Sequence, residues 1–351
     1  MESGHFTLPA IGQGYVVQEM LGEGGMGAVY AANHARFGRV VVKVMHAALG
    51  EAQKDRMRLE GEAVARVSSP HVVKVLDWGV TTDRRPFLAM ERLDGQTLDE
   101  ELIDRRVLPV AEAVRITIDI LRGLQAVHER KLVHRDVKPS NVFLSGSEKT
   151  AKLLDFGIVK LVEAVTGVAP LAVPTKHGAA IGTPRFMAPE QIYAQGVDGR
   201  ADLYAAGVML YLMLTGEHMF AYKDVSQLMI AHATEPAKPP SHRAPQPIAP
   251  ELDAIVLRAL EKDPDARFGD AESFAAELGR FLGAPAVPVA PTELFAPHEA
   301  APRPAALALP LVQPPPRMAA SAGGTRAFWI AIAVGFAITL AAVELVMGLV
   351  R

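Results

Sequence analysis

The stretch LGEGGMGAVY, residues 21–30, sets Gly22, Gly24 and Gly27 in a G-x-G-x-x-G pattern, and the run directly after these glycines narrows the fold. Glycines at this spacing let backbone N–H groups approach phosphate oxygens. In a dinucleotide-binding unit such a loop opens a helix. Here it runs into AVYAANH, an apolar run that reads as a strand. A phosphate-binding loop of the Walker type needs Gly-Lys-Ser/Thr, which is absent. The glycines therefore form a β-hairpin turn, a small lid over phosphate.

The rest of the chain extends this start. YVVQEML (15–21), AVYAANH (28–34) and RVVVKVM (39–45) are short strand-like runs broken by Gly or polar turns. A charged segment, 51–67, has helical periodicity. HVVKVLDWG and RPFLAMERL read as two further strands. Beyond about residue 97 the pattern turns helical, and in 109–130 Val110, Val114, Leu121 and Leu124 fall near one stripe. The expected fold class is α+β, a β-rich lobe followed by a larger helical lobe. The chain has 351 residues, half of them hydrophobic, enough for two lobes and more. A net charge of −3 gives no general attraction to nucleic acid. With no cysteine, disulfides, thiolate catalysis and Cys-ligated zinc are excluded. The N-terminus has neither the basic nor the apolar region of a secretory signal.

Candidate chemistry lies in a few short stretches. Lys43 sits inside an apolar strand, where an unpaired ammonium is costly. Glu60 on the following predicted helix supplies a partner, with Glu62 its rival, and a structural ion pair would satisfy the pattern taken alone. HRDVKPSN (134–141) packs His134, Asp136, Lys138 and Asn141 into eight residues around a proline. LLDFG (153–157) places Asp155 at the end of a short strand, and GTPRFMAPE (182–190) ends in Ala188-Pro189-Glu190.

Glycine loop, strand lysine, helix glutamate, HRD-x-K-x-x-N, DFG and APE occur in that order, and the chain thereby resembles the protein kinase family over nearly all of its globular part. The resemblance implies a bilobal kinase fold over 15–282, with ATP as phosphoryl donor and Mg²⁺ as the metal, or Mn²⁺ in its place. Phosphoryl transfer needs positioning and charge neutralisation more than covalent chemistry. Asp136 would orient the acceptor hydroxyl and take its proton, and Lys138 would neutralise the moving phosphate. Lys43, steered by Glu60, would hold the α- and β-phosphates. Asn141 and Asp155 would give the oxygen ligands that a hard divalent ion prefers. The nucleotide would lie against Leu21, Gly22, Glu23, Gly24, Gly25, Met26, Gly27, Val29, Val41, Glu91, Leu93 and Phe143, with Met90 as gatekeeper. Lys138 and Thr183 resemble the serine/threonine class, whose partners are protein substrates bearing Ser or Thr. His134 reads as structural. Asp202 would brace the catalytic loop, and Arg267 would pair with Glu190. One departure stands out: Val41 occupies a place where the family usually has alanine, and its extra methyls narrow the adenine pocket. A pseudokinase scaffold is the alternative, but none of Lys43, Asp136, Asn141 or Asp155 is missing.

Two further regions complete the chain. Residues 283–326 are rich in Ala and Pro, which disfavours helix interiors and reads as a disordered linker. Residues 327–350, bracketed by Arg326 and Arg351, are apolar all round except for Glu344. As a helix they would span about 36 Å, enough for a hydrocarbon core of roughly 30 Å. This predicts a single C-terminal transmembrane helix in a lipid bilayer, with the kinase domain in the cytoplasm. The arrangement resembles bacterial membrane-anchored serine/threonine kinases, although only Arg351 follows the span. Ala327, Ala331, Gly335 and Thr339 form a small-residue stripe through which two copies could meet as a homodimer.

Between Asp155 and Glu190 the only hydroxyls are Thr166, Thr175 and Thr183. Thr183 belongs to the Gly-Thr-Pro motif, where a phosphate would repel Asp136. Thr175, eight residues earlier, resembles an activating threonine of bacterial relatives. Arg135, next to Asp136, could receive its phosphate through charge-assisted hydrogen bonds.

Overall fold

Alternation along the third strand separates the outside of the first lobe from its working face. In the computed structural model, which describes residues 11–12, 14–24, 27–46, 65–155 and 184–283, a five-stranded antiparallel sheet has the order β1-β2-β3-β5-β4. The strands are β1 (Tyr15–Gly24), β2 (Gly27–His34), β3 (Gly38–Met45), β4 (Val75–Val80) and β5 (Pro86–Glu91). Successive side chains on a strand point to opposite faces. Val40, Val42 and Val44 thus enter an outer core with Tyr15, Tyr30, Phe87 and Ala89. Val41 and Lys43 face the other way. Register sets Val29 and Leu88 beside Lys43, and Ala31 and Met90 beside Val41.

The second lobe is helical around a small sheet of β6 (Gly95–Thr97), β7 (Val142–Ser145) and β8 (Thr150–Leu153). Its helices are α1 (Leu98–Arg105), α2 (Val110–His128), α3 (Pro189–Ile192), α4 (Arg200–Thr215), α5 (Val225–Thr234), α6 (Pro250–Ala259) and α7 (Ala271–Gly283). Thr97 caps α1 reciprocally with Glu100, as a capping box does. Helix α4 is buried on nearly every side, as its apolar sequence demands. It packs against α2, which also meets α7 and β8. Gly123 on α2 lets the chain at His71 come close, since a Cβ there would lie 2.5 Å from the His71 carbonyl oxygen.

The expected division into a β-rich and a helical lobe is found, with shifted boundaries. The first strand runs on to Gly24, so the glycine pattern begins within the strand. The run from His71 becomes a strand only at Val75. Before that, Val73 N–H donates to Leu153 O and Leu153 N–H to His71 O, which joins the two lobes. The long helix stops at His128 because Lys131 takes a positive φ of 57° and Leu132 N–H turns back to Val127 O. Almost all of the helix expected over 51–67 lies outside the described residues, as do Glu60 and Glu62, Thr166, Thr175 and Thr183, the linker after Gly283, which ends the last helix, and the segment 327–350. Among the described residues no helix is long and apolar enough to cross a membrane.

A buried ion pair fastens α3 to the lobe. The Arg267 guanidinium donates to both Glu190 carboxylate oxygens at 2.8 and 2.9 Å. Its remaining N–H groups go to the carbonyls of Glu261, Arg200 and Lys262, so all five donors are used. Beside it burial, then the Lys262 charge, pushes the His232 imidazole down to about 3. Burial, then the Arg267 charge, brings the Lys262 amine down to about 8. An Arg267→Met variant leaves Glu190 buried without its partner. It should lose about 3–5 kcal/mol of stability, and Arg267→Met with Glu190→Leu should lose less. Denaturant unfolding of the two variants measures the difference.

Candidate active site

The loop between α2 and β7 has no strand ladder, so other groups must satisfy its backbone. Asp202, on buried α4, does much of this. Its Oδ2 accepts from His134 N–H at 2.9 Å and its Oδ1 from Arg135 N–H at 2.8 Å. His128, at the end of α2, contacts Oδ2 through Nε2 at 2.7 Å. Burial pushes the Asp202 carboxyl up, but the hydrogen bond and charge of His128, with help from His134, outweigh this and hold it below the usual carboxylate range.

His134 is fully buried. Its Nδ1 accepts from Asp136 N–H at 3.4 Å, and its Nε2 lies 2.9 Å from the Leu154 carbonyl. The first bond requires Nδ1 without a proton, so Nε2 carries one and donates. Leu154 N–H donates in turn to Asn141 O. These bonds lace the loop to the residue before Asp155.

Asp136, Lys138 and Asn141 then converge. Lys138 Nζ donates to Asp136 Oδ2 at 2.8 Å, and Asn141 Nδ2 donates to the same oxygen at 3.0 Å and to the Asp136 carbonyl at 2.8 Å. A carboxylate so held keeps its direction while its other oxygen can accept a proton. Asn141 spends only its Nδ2 on these bonds, which leaves its Oδ1 as a ligand. The short 3₁₀ turn Pro139–Asn141 brings Asn141 back over Asp136.

From the other lobe, Lys43 Nζ lies 2.6 Å from Asp155 Oδ2. Glu60 was expected as the partner of Lys43. It lies outside the described residues, and the partner seen is Asp155. Asp155 and Arg135 both have positive φ, 57° and 65°. Such backbone costs about 1–3 kcal/mol per residue and persists only where the surroundings over-determine it.

Around this centre, Val41 and Met90 face one another across β3 and β5, with Val29 beside Lys43 on β2. Leu21 and Glu23 are exposed on β1, and Gly22 has open space where a Cβ would be. Gly27 is different in kind: a Cβ there would lie 2.3 Å from Val44 O, so it is glycine for packing against β3. Phe143 is half-buried on β7, beside Lys152. Leu93 packs against the main core. Gly25 and Met26 lie outside the described residues.

These residues fit a nucleotide and a divalent ion. The open backbone at Gly22 and an ammonium suit phosphates, and a carboxylate with an amide oxygen suits a hard cation. Among the described residues no separate acidic or histidine cluster could hold a metal. Three contacts escaped the sequence reading. Glu91 takes Lys152 Nζ at 2.7 Å, His128 meets Asp202, and Gln191 donates to the Arg135 carbonyl. None has a local spacing that announces it.

Comparison with known proteins agrees with this geometry. The protein kinase domain family matches residues 15–278. The chain is 40% identical over 261 residues to serine/threonine-protein kinase Pkn1 of Myxococcus xanthus, covering 72% of this chain and 36% of that protein. It is 37% identical to serine/threonine-protein kinase pkn3 of the same organism, with coverages of 75% and 49%. It is 35% identical to serine/threonine-protein kinase PknB of Mycobacterium leprae, with coverages of 78% and 44%. The chain thus spans half or less of the length of these curated relatives. The family's match takes in both lobes and every described residue of the polar centre, and on that ground the chain belongs to the protein kinase family.

Proposed function

We propose that this chain is a serine/threonine protein kinase, transferring the γ-phosphoryl group of ATP to hydroxyls of proteins. The observation that carries the reading is the convergence of Asp136, Lys138 and Asn141 on one turn with Lys43 and Asp155 opposite. The relatives above are named serine/threonine kinases, and the family as a whole uses ATP with a divalent metal.

Asp136, aimed by Lys138 and Asn141, orients the acceptor hydroxyl and takes its proton. Lys138 offsets negative charge beside the reacting group. Lys43 holds phosphate oxygens, and Val41 and Met90 close on the base. Asp155 and Asn141 Oδ1 are the ligands for Mg²⁺, with Mn²⁺ able to replace it. When bound, the metal supplies neutralisation of phosphate charge. A pseudokinase would lack one of these groups, and Lys43, Asp136, Asn141 and Asp155 are all in place.

Outside the described residues, 327–350 is proposed as a single membrane span with the kinase domain on the cytoplasmic side. Its apolar length supports this. The full chain should sediment with membranes and need detergent for release. Recovery in a high-speed supernatant without detergent argues decisively against the anchor.

Thr175 is proposed as the main autophosphorylation site, with Arg135 as receiver. Mass spectrometry of active protein should find phosphate there, and Thr175→Ala should slow substrate phosphorylation while nucleotide binding persists. Full activity in that variant rules the switch out.

The activity itself is tested with labelled ATP, Mg²⁺ and a generic basic protein. Asp136→Asn should lower transfer by about 10²–10⁴-fold, the usual contribution of a positioned base, with nucleotide binding intact. Lys43→Met should also abolish turnover, through misplaced phosphates. Near-normal turnover in Asp136→Asn would show the base to be misassigned.

A further inference from the structure

Arg135 immediately precedes the proposed base and holds a left-handed backbone, with φ of 65°. A non-glycine residue does this against a steric cost. Its N–H is held by the buried Asp202 carboxylate at 2.8 Å. Its C=O is held as well, by Gln191 Nε2 at 3.0 Å. That carbonyl belongs to the peptide unit joining Arg135 to Asp136, so its orientation sets where the Asp136 side chain begins.

Gln191 is fixed at its other end too. Its Oε1 accepts from Ala188 N–H at 3.0 Å, and its own N–H donates to Ala188 O at 3.0 Å. The side chain therefore spans from the segment after Thr183 to the backbone of the catalytic loop. One end must accept and the other must donate. Neither a carboxylate nor a hydrocarbon does both, and an amide does. Gln191 also lines a small cavity of about 10 Å³ with Arg135, Asp136, Phe186 and Met187, room for one water at most. The side chain thus stands between Ala188 and the peptide that carries the proposed base.

We infer that Gln191 is a positioning residue for phosphoryl transfer, holding the Arg135–Asp136 peptide in register with Ala188 and the start of α3. It acts through Asp136, by keeping a strained peptide in the one orientation that aims the carboxylate. The inference rests on the kinase reading above.

The test compares the full-length wild type with Gln191→Leu and Gln191→Glu. Leucine nearly fills the same volume and loses both bonds. At saturating ATP and peptide, Gln191→Leu should slow a single turnover about tenfold, or about 1.4 kcal/mol, with the Kd for a fluorescent nucleotide unchanged. Gln191→Glu has a signature that a merely structural residue would lack. Its ionised form cannot donate to the Arg135 carbonyl, whereas its protonated form both donates and accepts. The ratio of its rate to that of wild type should therefore rise several-fold as the pH falls from 8 to 5.5. The charged groups lining the same cavity are Arg135, Asp136 and Asp202, present in both proteins, so the pH dependence they give the wild type divides out of the ratio. A single-turnover rate in Gln191→Leu within twofold of wild type, or a flat ratio for Gln191→Glu, overturns the inference. So does a loss that follows Tm alone. A wild type that transfers no phosphate at all overturns instead the reading of the activity.

Discussion

A single buried carboxylate, Asp202, holds the catalytic loop to the body of the protein. It sits on a helix that is apolar and enclosed over most of its length, where an unpaired charge would be costly. Two backbone N–H groups and the His128 imidazole compensate for that cost, and all three belong to the segment that ends α2 and starts the loop. The compensation and the positioning are therefore the same bonds. Without them Arg135 would have no reason to keep a left-handed backbone, and Asp136 would lose its direction.

The second buried charge pair works differently. Arg267 and Glu190 satisfy each other and three carbonyls in a site closed to water. Such a pair adds little net stability over apolar packing but tolerates no partner loss. It serves as a specification of where α3 lies. Because Gln191 follows Glu190 directly, fixing the one fixes where the other starts, and through it the Arg135 carbonyl. Two ionic anchors, on α4 and α3, thus reach the same peptide from opposite ends.

Much of this was legible in the sequence where the signal is local. The glycine hairpin, the alternation that turns Lys43 and Val41 away from the outer core, and the clustering of Asp136, Lys138 and Asn141 each follow from spacing within about ten residues. Asp202 and Arg267 were reached through the family's pattern, not through periodicity. The contacts that went unread join residues far apart in sequence: 56 positions between Arg135 and Gln191, 74 between His128 and Asp202, 61 between Glu91 and Lys152. No helical or strand period relates such pairs, and glutamine on a four-residue helix is a neutral choice until its partner is known. Lys43 illustrates the same limit. A buried ammonium predicts that an anion is near, but not which one, and the pair seen is with Asp155.

The two halves of the site differ in what holds them. Among the described residues, the partners that fix Asp136 come from the helical lobe: Lys138, Asn141, His134 and the clamped Arg135. Asp155 also begins from that lobe, since Leu154 before it is bonded on both sides to the loop. Its own backbone is strained, however, with φ of 57°, and the side-chain partner seen for it comes from β3 in the other lobe. Strain of this kind persists only while its surroundings enforce it. On the proposed function, the acceptor side of the chemistry is therefore built in, whereas the phosphate side is complete only with Lys43 in place. A change in the approach of the β-rich lobe would act on Asp155 first and leave Asp136 aimed as before.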